Sequence, residues 1–442
     1  MAKMAIDVKS FSVARVVSHV RTPLYRNAYA LILSSATTSG LGIVYWMLAA
    51  RYYLTRDVGL NSAMITTMIF LSGLSQLNLK SALIRFIPVA GRATGRLVGY
   101  AYLISVVVTA LAIPVFILGL NLWAPADSFL SASAPLTVWF AVGAMTWCIF
   151  VLQDSALTGL GQTVWVPIEN TIFGVAKIIL LIIFAASSQP YGIFASWTIP
   201  TVAMLLPINL LIFRRFIPKH VAATESRASA IAPKQIVKFV AGDYLGSLFV
   251  EMSISLLPLL VLSQAGASAN AYFYLAWIIA YSLQLVAMGM TTSLTVEGAG
   301  DQTKLGGHSR RMLLHLLRLL VPMVLIVSIG APYLLRIFGP DYAAEGATLL
   351  RLLALSAIPY SINALYLSFA RVQRKIAGIV LVQGALCGLA LGLSYVLLLS
   401  YGITGIGVAW LASQTLVAVV LMLTQLRPIL RPVGPQERRS SI

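Results

Sequence analysis

Residues 236–266 read IVKFVAGDYLGSLFVEMSISLLPLLVLSQAG, a stretch apolar enough to cross a bilayer that nevertheless carries two acids, Asp243 and Glu251. A spanning helix needs about 20 apolar residues at about 1.5 Å rise each. With entry near Lys238 and exit near Gln264, Glu251 lies roughly 20 Å in, close to the midplane. A carboxylate at that depth costs about 2.5 to 3.5 kcal/mol even on the lenient insertion scale, so it must face a polar cavity, meet a cation or stay protonated. Asp243, Ser247 and Glu251 recur every fourth residue and so form a polar stripe on one helix face. Pro258 follows; its clash with the carbonyl of Ile254 predicts a bend just past Glu251.

The rest of the chain has the composition of a cage around such a stripe. Of 442 residues, 59% are hydrophobic and only 10% charged, a balance that no soluble domain shows. A net charge of +18 would suit nucleic acid, but the bases are confined to short segments between apolar runs, which is a signature of membrane topology. Cys148 and Cys387 each sit inside an apolar run and read as small core residues. His19, His220, His308 and His315 are scattered near the ends of runs, in no metal-ligand spacing. There is no Walker A loop, GxSxG or HExxH motif, so no nucleotide, cofactor or hydrolytic triad is implied and the chain does not read as an enzyme.

Apolar runs at roughly 28–50, 58–79, 98–120, 135–157, 166–187, 192–213, 238–262, 270–293, 312–335, 347–370, 377–399 and 403–425 are each long enough to span. They predict an all-α polytopic membrane protein of twelve transmembrane helices. Alternate connections hold twenty-five Lys and Arg against four, Arg51, Arg56, Arg336 and Arg351, which predicts both termini in the cytoplasm. The expected organisation is a basic segment over 1–26, a first lobe of six helices over 27–217, a cytoplasmic linker over 218–235, a second six-helix lobe over 236–426 and a tail over 427–442. In the first segment Lys3, Lys9, Arg15, Arg21 and Arg26 precede the first run without a cleavable signal. Phe11, Val13, Val16, Val17 and Val20 there form either the greasy side of an interfacial helix or part of a disordered basic tail. Asp57-Val58-Gly59 recurs as Gln264-Ala265-Gly266, 207 positions on, and Tyr191-Gly192-Ile193 as Tyr401-Gly402-Ile403, 210 positions on. Nearly equal offsets at equivalent places point to a duplication: parallel repeats with a cavity between them.

Few charges lie inside the runs. Lys177 is about 12 residues into the fifth run, near the midplane, with Glu169 two turns earlier on a similar face. Asp154, beside Gln153, is near the inner end of the fourth. These residues define either a polar pathway, with Lys177 drawing an anionic head group while Glu251 or Asp243 takes a coupling cation or proton, or a structural ion pair between Lys177 and an acid. In the eighth run Tyr274, Trp277, Tyr281 and Gln284 recur at steps of three and four. Such a face suits sugar stacking, and equally suits packing or an interfacial belt. Lys80 and Arg85, at the inner end of the second helix, either capture phosphates or anchor the topology.

Five stretches resemble a known family. RDVGLNSAMITTMIFLSGLSQLNLKSALIRFIP (56–88) and AGASANAYFYLAWII (265–279) are similar to the second and eighth helices of the polysaccharide-transport (O-antigen flippase) branch of the MOP, or multidrug/oligosaccharidyl-lipid/polysaccharide, exporters. FGPDYAAEGATLLRLLALSAIPYSINAL (338–365), ARVQRK (370–375) and YGITGIGVAWLASQ (401–414) resemble that family's C-terminal half. The resemblance covers about 25–426 and implies a V-shaped pair of lobes in a prokaryotic plasma membrane. The implied activity is alternating-access transfer of an undecaprenyl-diphosphate-linked oligosaccharide, as in lipopolysaccharide O-antigen assembly, alongside other polysaccharide-assembly proteins. MATE-type relatives use a seventh-helix carboxylate for H⁺ or Na⁺ coupling, and Glu251 is the position that fits. Lipid II flippases of the superfamily carry two further helices, so the twelve expected here count against that assignment. The alternatives are a cation-coupled multidrug exporter on the same fold and, less well supported given short outer connections, a membrane glycosyltransferase or polymerase.

Overall fold

The computed structural model describes residues 23–123, 133–187, 189–224, 233–298, 305–373 and 375–426, and these are almost wholly helical. In chain order the helices are α1 (Pro23–Tyr52), α2 (Thr55–Ser75), α3 (Leu79–Ala90), α4 (Thr94–Trp123), α5 (Ala134–Gly159), α6 (Trp165–Ala186), α7 (Gly192–Leu211), α8 (Ile217–Thr224), α9 (Pro233–Gly298), α10 (Leu305–Arg336), α11 (Pro340–Leu355), α12 (Ala357–Val372) and α13 (Ile376–Leu421). The expected interfacial stretch over 11–20, linker residues 225–232 and the tail over 427–442 lie outside the described residues.

Nine helical stretches among the described residues are long and apolar enough to cross a membrane. Two of them, Tyr244–Thr291 (48 residues) and Ile376–Leu426 (51 residues), each hold two of the apolar runs. The divide is a single glycine in each: Gly266 at φ 85°, ψ 173° and Gly402 at φ 56°, ψ −150°. A side chain would disfavour both conformations, so these two glycines mark the breaks between runs. Pro258, by contrast, does not interrupt α9, whose only non-helical residue is Gly266. The residue of α9 with non-helical backbone angles is thus the glycine, eight positions past the proline.

Two further differences from expectation have local causes. The second apolar run does not continue through Lys80 and Arg85: Leu77 and Asn78 take positive φ of 47° and 59°, ending α2 and starting α3 as a separate amphipathic helix. Leu79, Ala82, Leu83, Ile87 and Ala90 of α3 are buried, against α5 and α4, while Lys80, Ile84 and Arg85 are exposed. The run over 347–370 is divided at Ser356, where Pro359 lacks the N–H that would bond the carbonyl of Leu355.

Helices α1 to α8 pack mainly among themselves, as do α9 to α13, and the two groups meet principally where α2 lies along α9. The apolar window of α2 is 78% buried against 22% for that of α4. α2 is therefore the seam helix and α4 a peripheral one, with Leu103, Val107, Leu111, Val115 and Leu118 forming an exposed apolar stripe suited to lipid. One core cluster runs through the seam, from Tyr45 and Phe194 in the first group to Trp277 and Trp410 in the second. The hydroxyls of α2 donate within their own helix: Ser62 to the Gly59 carbonyl, Thr66 to Ser62, Thr67 to Ala63, Ser72 to Met68 and Ser75 to Leu71, at 2.6–2.9 Å, with Ser72 also reaching the Ala144 carbonyl of α5 at 2.8 Å. The duplication has a structural echo as well. α7 and α13 each finish in a five-residue π-helical turn, Ile212–Phe216 and Met422–Leu426, again 210 positions apart.

Candidate site at the seam between the helix groups

At the end that the charge count assigns to the outside, the two groups are pressed together. Gly59 of α2 lies so close to α9 that an added Cβ would stand 1.6 Å from the Ala267 carbonyl oxygen. Asn270 Nδ2 donates to the Gly59 carbonyl at 2.7 Å and to Ser62 Oγ at 3.2 Å. Arg51, closing α1, donates through Nε and Nη2 to the Ile337 carbonyl at 3.0 and 2.8 Å.

Further along the seam the carboxyl of Glu251 rests on the backbone of α2: a Cβ on Gly73 would be 3.2 Å from its Cδ and 3.3 Å from its Oε1. Ser255 Oγ, one turn on, donates to that Oε1 at 3.3 Å. Lys80 at the start of α3 attracts the carboxylate without an ion-pair contact, and the Tyr281 hydroxyl is within its electrostatic reach. Glu251 thus lies within electrostatic reach of Lys80 and Tyr281, which the sequence offered separately. Asp243 is on the same limb of α9, but its side chain lies outside the described residues. Arg85 is on the exposed side of α3, with its guanidinium 5.8 Å from the Phe86 ring centroid.

Lys177 is elsewhere and in other company. It is buried in the first group, with Nζ 4.3 Å from the ring centroid of Trp197, 4.8 Å from that of Tyr45 and 5.3 Å from that of Phe173. Three ring faces around one ammonium supply cation–π attraction of about 0.5 to 2 kcal/mol each. Tyr45 is held in place by its hydroxyl, which donates to the Ile193 carbonyl at 3.0 Å and shares a 2.7 Å hydrogen bond with Ser196 Oγ. Among the described residues no carboxylate comes within ion-pair distance of Lys177.

The aromatic face of α9 adjoins this cage. Trp46 packs edge-on against Tyr45 at 5.3 Å and against Tyr274 at 4.8 Å, so a ladder of rings crosses the seam. Trp277 stacks on Tyr281 at 6.1 Å and meets Trp410 edge-on at 4.8 Å. Trp277 and Gln284 are buried, while Tyr274 and Tyr281 are half-buried. Packing therefore accounts for Trp277, and the two tyrosines keep the accessible part of the face. Asp154 belongs to neither cluster: it accepts from Asn170 Nδ2 at 3.1 Å and is electrostatically coupled to Glu169. Glu169 thus lies within electrostatic reach of Asp154, and its carboxyl oxygens have no hydrogen-bond partner among the described residues. The cage residues Tyr45, Phe173 and Trp197 were not singled out from the sequence, where they are three aromatics among many.

No family model and no curated protein matches this chain. Solved structures do. A MATE-family multidrug resistance transporter of the MOP superfamily in an outward-facing conformation aligns with a TM-score of 0.65 at 14% identity, over 93% of this chain and 96% of that one. A MOP superfamily transporter from Pyrococcus furiosus, described as having a binding pocket of reversed polarity that suggests a different function, gives 0.64 at 14% identity over 93% and 96%. The lipid II flippase MurJ in an inward closed conformation gives 0.64 at 12% identity over 90% of each chain. The fold is that of the MATE and MurJ transporters of the MOP superfamily, a multi-pass membrane architecture. At these identities the likeness concerns the fold alone.

Proposed function

We propose that this protein is a flippase moving a polyprenyl-diphosphate-linked oligosaccharide between the leaflets of a prokaryotic plasma membrane, by alternating access of two six-helix lobes. The observation that carries the reading is Lys177: a buried ammonium caged by Tyr45, Phe173 and Trp197, with no acid among the described residues in ion-pair contact. Such a cation, retained at the cost of its hydration, favours an anion over a cationic drug. The reversed polarity described for the pocket of the Pyrococcus relative shows that this fold accommodates more than one pocket charge. Tyr274 and Tyr281 offer ring faces to sugars, and Lys80 and Arg85 offer charge and forked donors to phosphate. Glu251, set against α2 with only a serine donor, is the coupling group: protonation or cation binding there alters the charge on the helix that forms the seam.

The second reading, a cation-coupled multidrug exporter, is favoured by the multidrug transporters among the structural relatives. Binding separates the two. Purified protein titrated with undecaprenyl diphosphate and, separately, with rhodamine 6G should bind the first and not the second, and Lys177→Gln should weaken the first at least tenfold. Binding of the dye, with no response to the diphosphate, would establish the exporter. In vesicles, Glu251→Gln should abolish dependence on an H⁺ or Na⁺ gradient while sparing expression.

A further inference from the structure

We infer that the corner between α10 and α11 binds the phosphate of an anionic glycerophospholipid, with Arg336 and Arg351 as its donors and the exposed apolar face of α10 as the bed for an acyl chain. The inference stands apart from the identity of the transported substrate. Placing the lipid in the outer leaflet rests on the orientation given by the charge count.

The distribution of bases is the first ground. Against twenty-five Lys and Arg in one set of connections stand only Arg51, Arg56, Arg336 and Arg351 in the other. Bases outside run against the topology rule, so the few kept there should be scattered unless something holds them together. Three of the four gather at one corner. Arg51 donates to the carbonyl of Ile337, the residue after Arg336. Arg336 lines a recess of about 320 Å³ with Pro332 and Tyr333 of α10 and Pro340 and Ala343 of α11. Arg351 is eleven residues past Pro340, three turns, and so shares its face of α11 roughly 16 Å further in.

Arg351 is the unusual member. It is exposed, yet it lies within Pro340–Val372, a stretch apolar enough to span. Its place is fixed by a backbone defect in α10: Pro332 has no N–H to bond the Ser328 carbonyl, and Arg351 Nε donates to that carbonyl at 3.2 Å instead. That bond occupies one of five donors on the guanidinium. Cα–Cβ bonds tilt toward a helix's N-terminus, which is the outer end of α11 and the inner end of α10. The side chains of Arg351 and Arg336 therefore start out toward one another, from levels about 12 Å apart along α10. Two forked donors converging in this way suit one phosphate.

The surroundings match a lipid. Leu325, Ile326, Ile329 and Tyr333 are exposed on one face of α10 inward of Arg336, and the apolar window of this helix is only 22% buried. Asp341 and Glu345, the acids at the start of α11, are about 100° and 140° round the helix from Pro340 and within electrostatic reach of Tyr272 on α9. They do not share the face of Arg351. Two guanidinium groups favour a headgroup of net negative charge over a zwitterionic one, whose ammonium they would repel.

The test uses the purified full chain in detergent, melted with dioctanoyl phosphatidylglycerol and, separately, with dioctanoyl phosphatidylcholine. The wild type should show a saturable rise in melting temperature with the first, at a half-saturating concentration about tenfold lower than with the second. Arg336→Gln and Arg351→Gln should each raise that concentration about tenfold, as loss of a charge-assisted hydrogen bond predicts, and together should abolish the rise. Lys219→Gln, at an exposed base on α8, should leave it unchanged. Both arginines are exposed, so the variants without lipid should melt close to wild type. Native mass spectrometry of the wild type from vesicles of mixed phosphatidylglycerol and phosphatidylcholine should show the former retained in preference, a readout that needs no variant. An equal response to the two lipids would overturn the site, as would a rise that survives replacement of both arginines. A rise that glycerol phosphate alone reproduces would mean a free-phosphate site and would overturn the lipid assignment.

Discussion

Gly59→Ala tests whether the outer contact is a gate or a permanent weld. The new Cβ would stand 1.6 Å from the Ala267 carbonyl oxygen and 2.6 Å from its carbon, where ordinary contact begins near 3.4 Å. α9 must therefore withdraw from α2 by roughly 2 Å, and overpacking of this kind costs about 1 to 3 kcal/mol. The Asn270 hydrogen bond to the Gly59 carbonyl is weakened as well, at about 1 kcal/mol. If the contact exists only in the state described here, that penalty falls on one state and shifts the balance toward the outward-open one by about 5- to 150-fold. Ser62→Cys, at a fully buried position beside the contact, reports the shift in a background lacking Cys148 and Cys387. A membrane-impermeant maleimide applied outside should label it faster when Gly59→Ala is present, at nearly unchanged melting temperature. Unchanged labelling with a clearly lowered melting temperature would mean that the contact belongs to every state, and the gate reading would fail.

Lys177→Met should leave melting within about 1 kcal/mol of wild type, because lost cation–π attraction is offset by removal of a buried charge and no acid is stranded. Combined with Glu251→Gln the effects should add within about 0.5 kcal/mol, whereas partial restoration of stability by the second change would reinstate an ion pair. Replacing Lys80 and Arg85 together by Gln should weaken undecaprenyl diphosphate binding without altering membrane orientation; unaltered affinity would leave them as topology anchors. Gln189→Cys and Lys219→Cys, both at exposed positions, should label from opposite sides of the membrane, and same-side labelling would contradict the alternation of basic connections.

The helical architecture was legible because hydropathy alone decides it: the apolar runs are helical almost throughout, although that over 58–79 outlasts α2 and that over 347–370 is divided at Ser356. The separate helix α3 was not, since its start depends on positive φ at Leu77 and Asn78, and a leucine gives no sign of adopting that conformation. The breaks in α9 and α13 fall at Gly266 and Gly402, glycines that the sequence marked only as parts of a repeat. Within the site, midplane depth identified Glu251 and Lys177 as unusual, but depth along one helix says nothing about azimuth or neighbour. Hence Glu169 seemed aligned with Lys177 by periodicity, yet the charge it feels is that of Asp154 on the neighbouring α5. The aromatic cage was beyond reach for the same reason: Tyr45 and Trp197 are 152 positions apart, and only the packing of α1 with α6 and α6 with α7 unites them.

The hydroxyls of α2 bear on kinetics more than on stability. A seam helix needs enough polarity to border a water-filled pathway, yet every hydrogen bond it makes to its neighbour is a bond that rupture must break before the neighbour can move. Because Ser62, Thr66, Thr67, Ser72 and Ser75 donate to carbonyls of their own helix, those bonds travel with α2 and survive any displacement of α9 intact. What must be broken across this face is small by comparison: the Asn270 amide at one end and the Tyr244 hydroxyl on the Leu74 carbonyl at the other. A surface built this way behaves as a slip plane, wetted by polar groups and free of friction from them, so the activation barrier for rocking is set by apolar contact area and by the few ties at its ends.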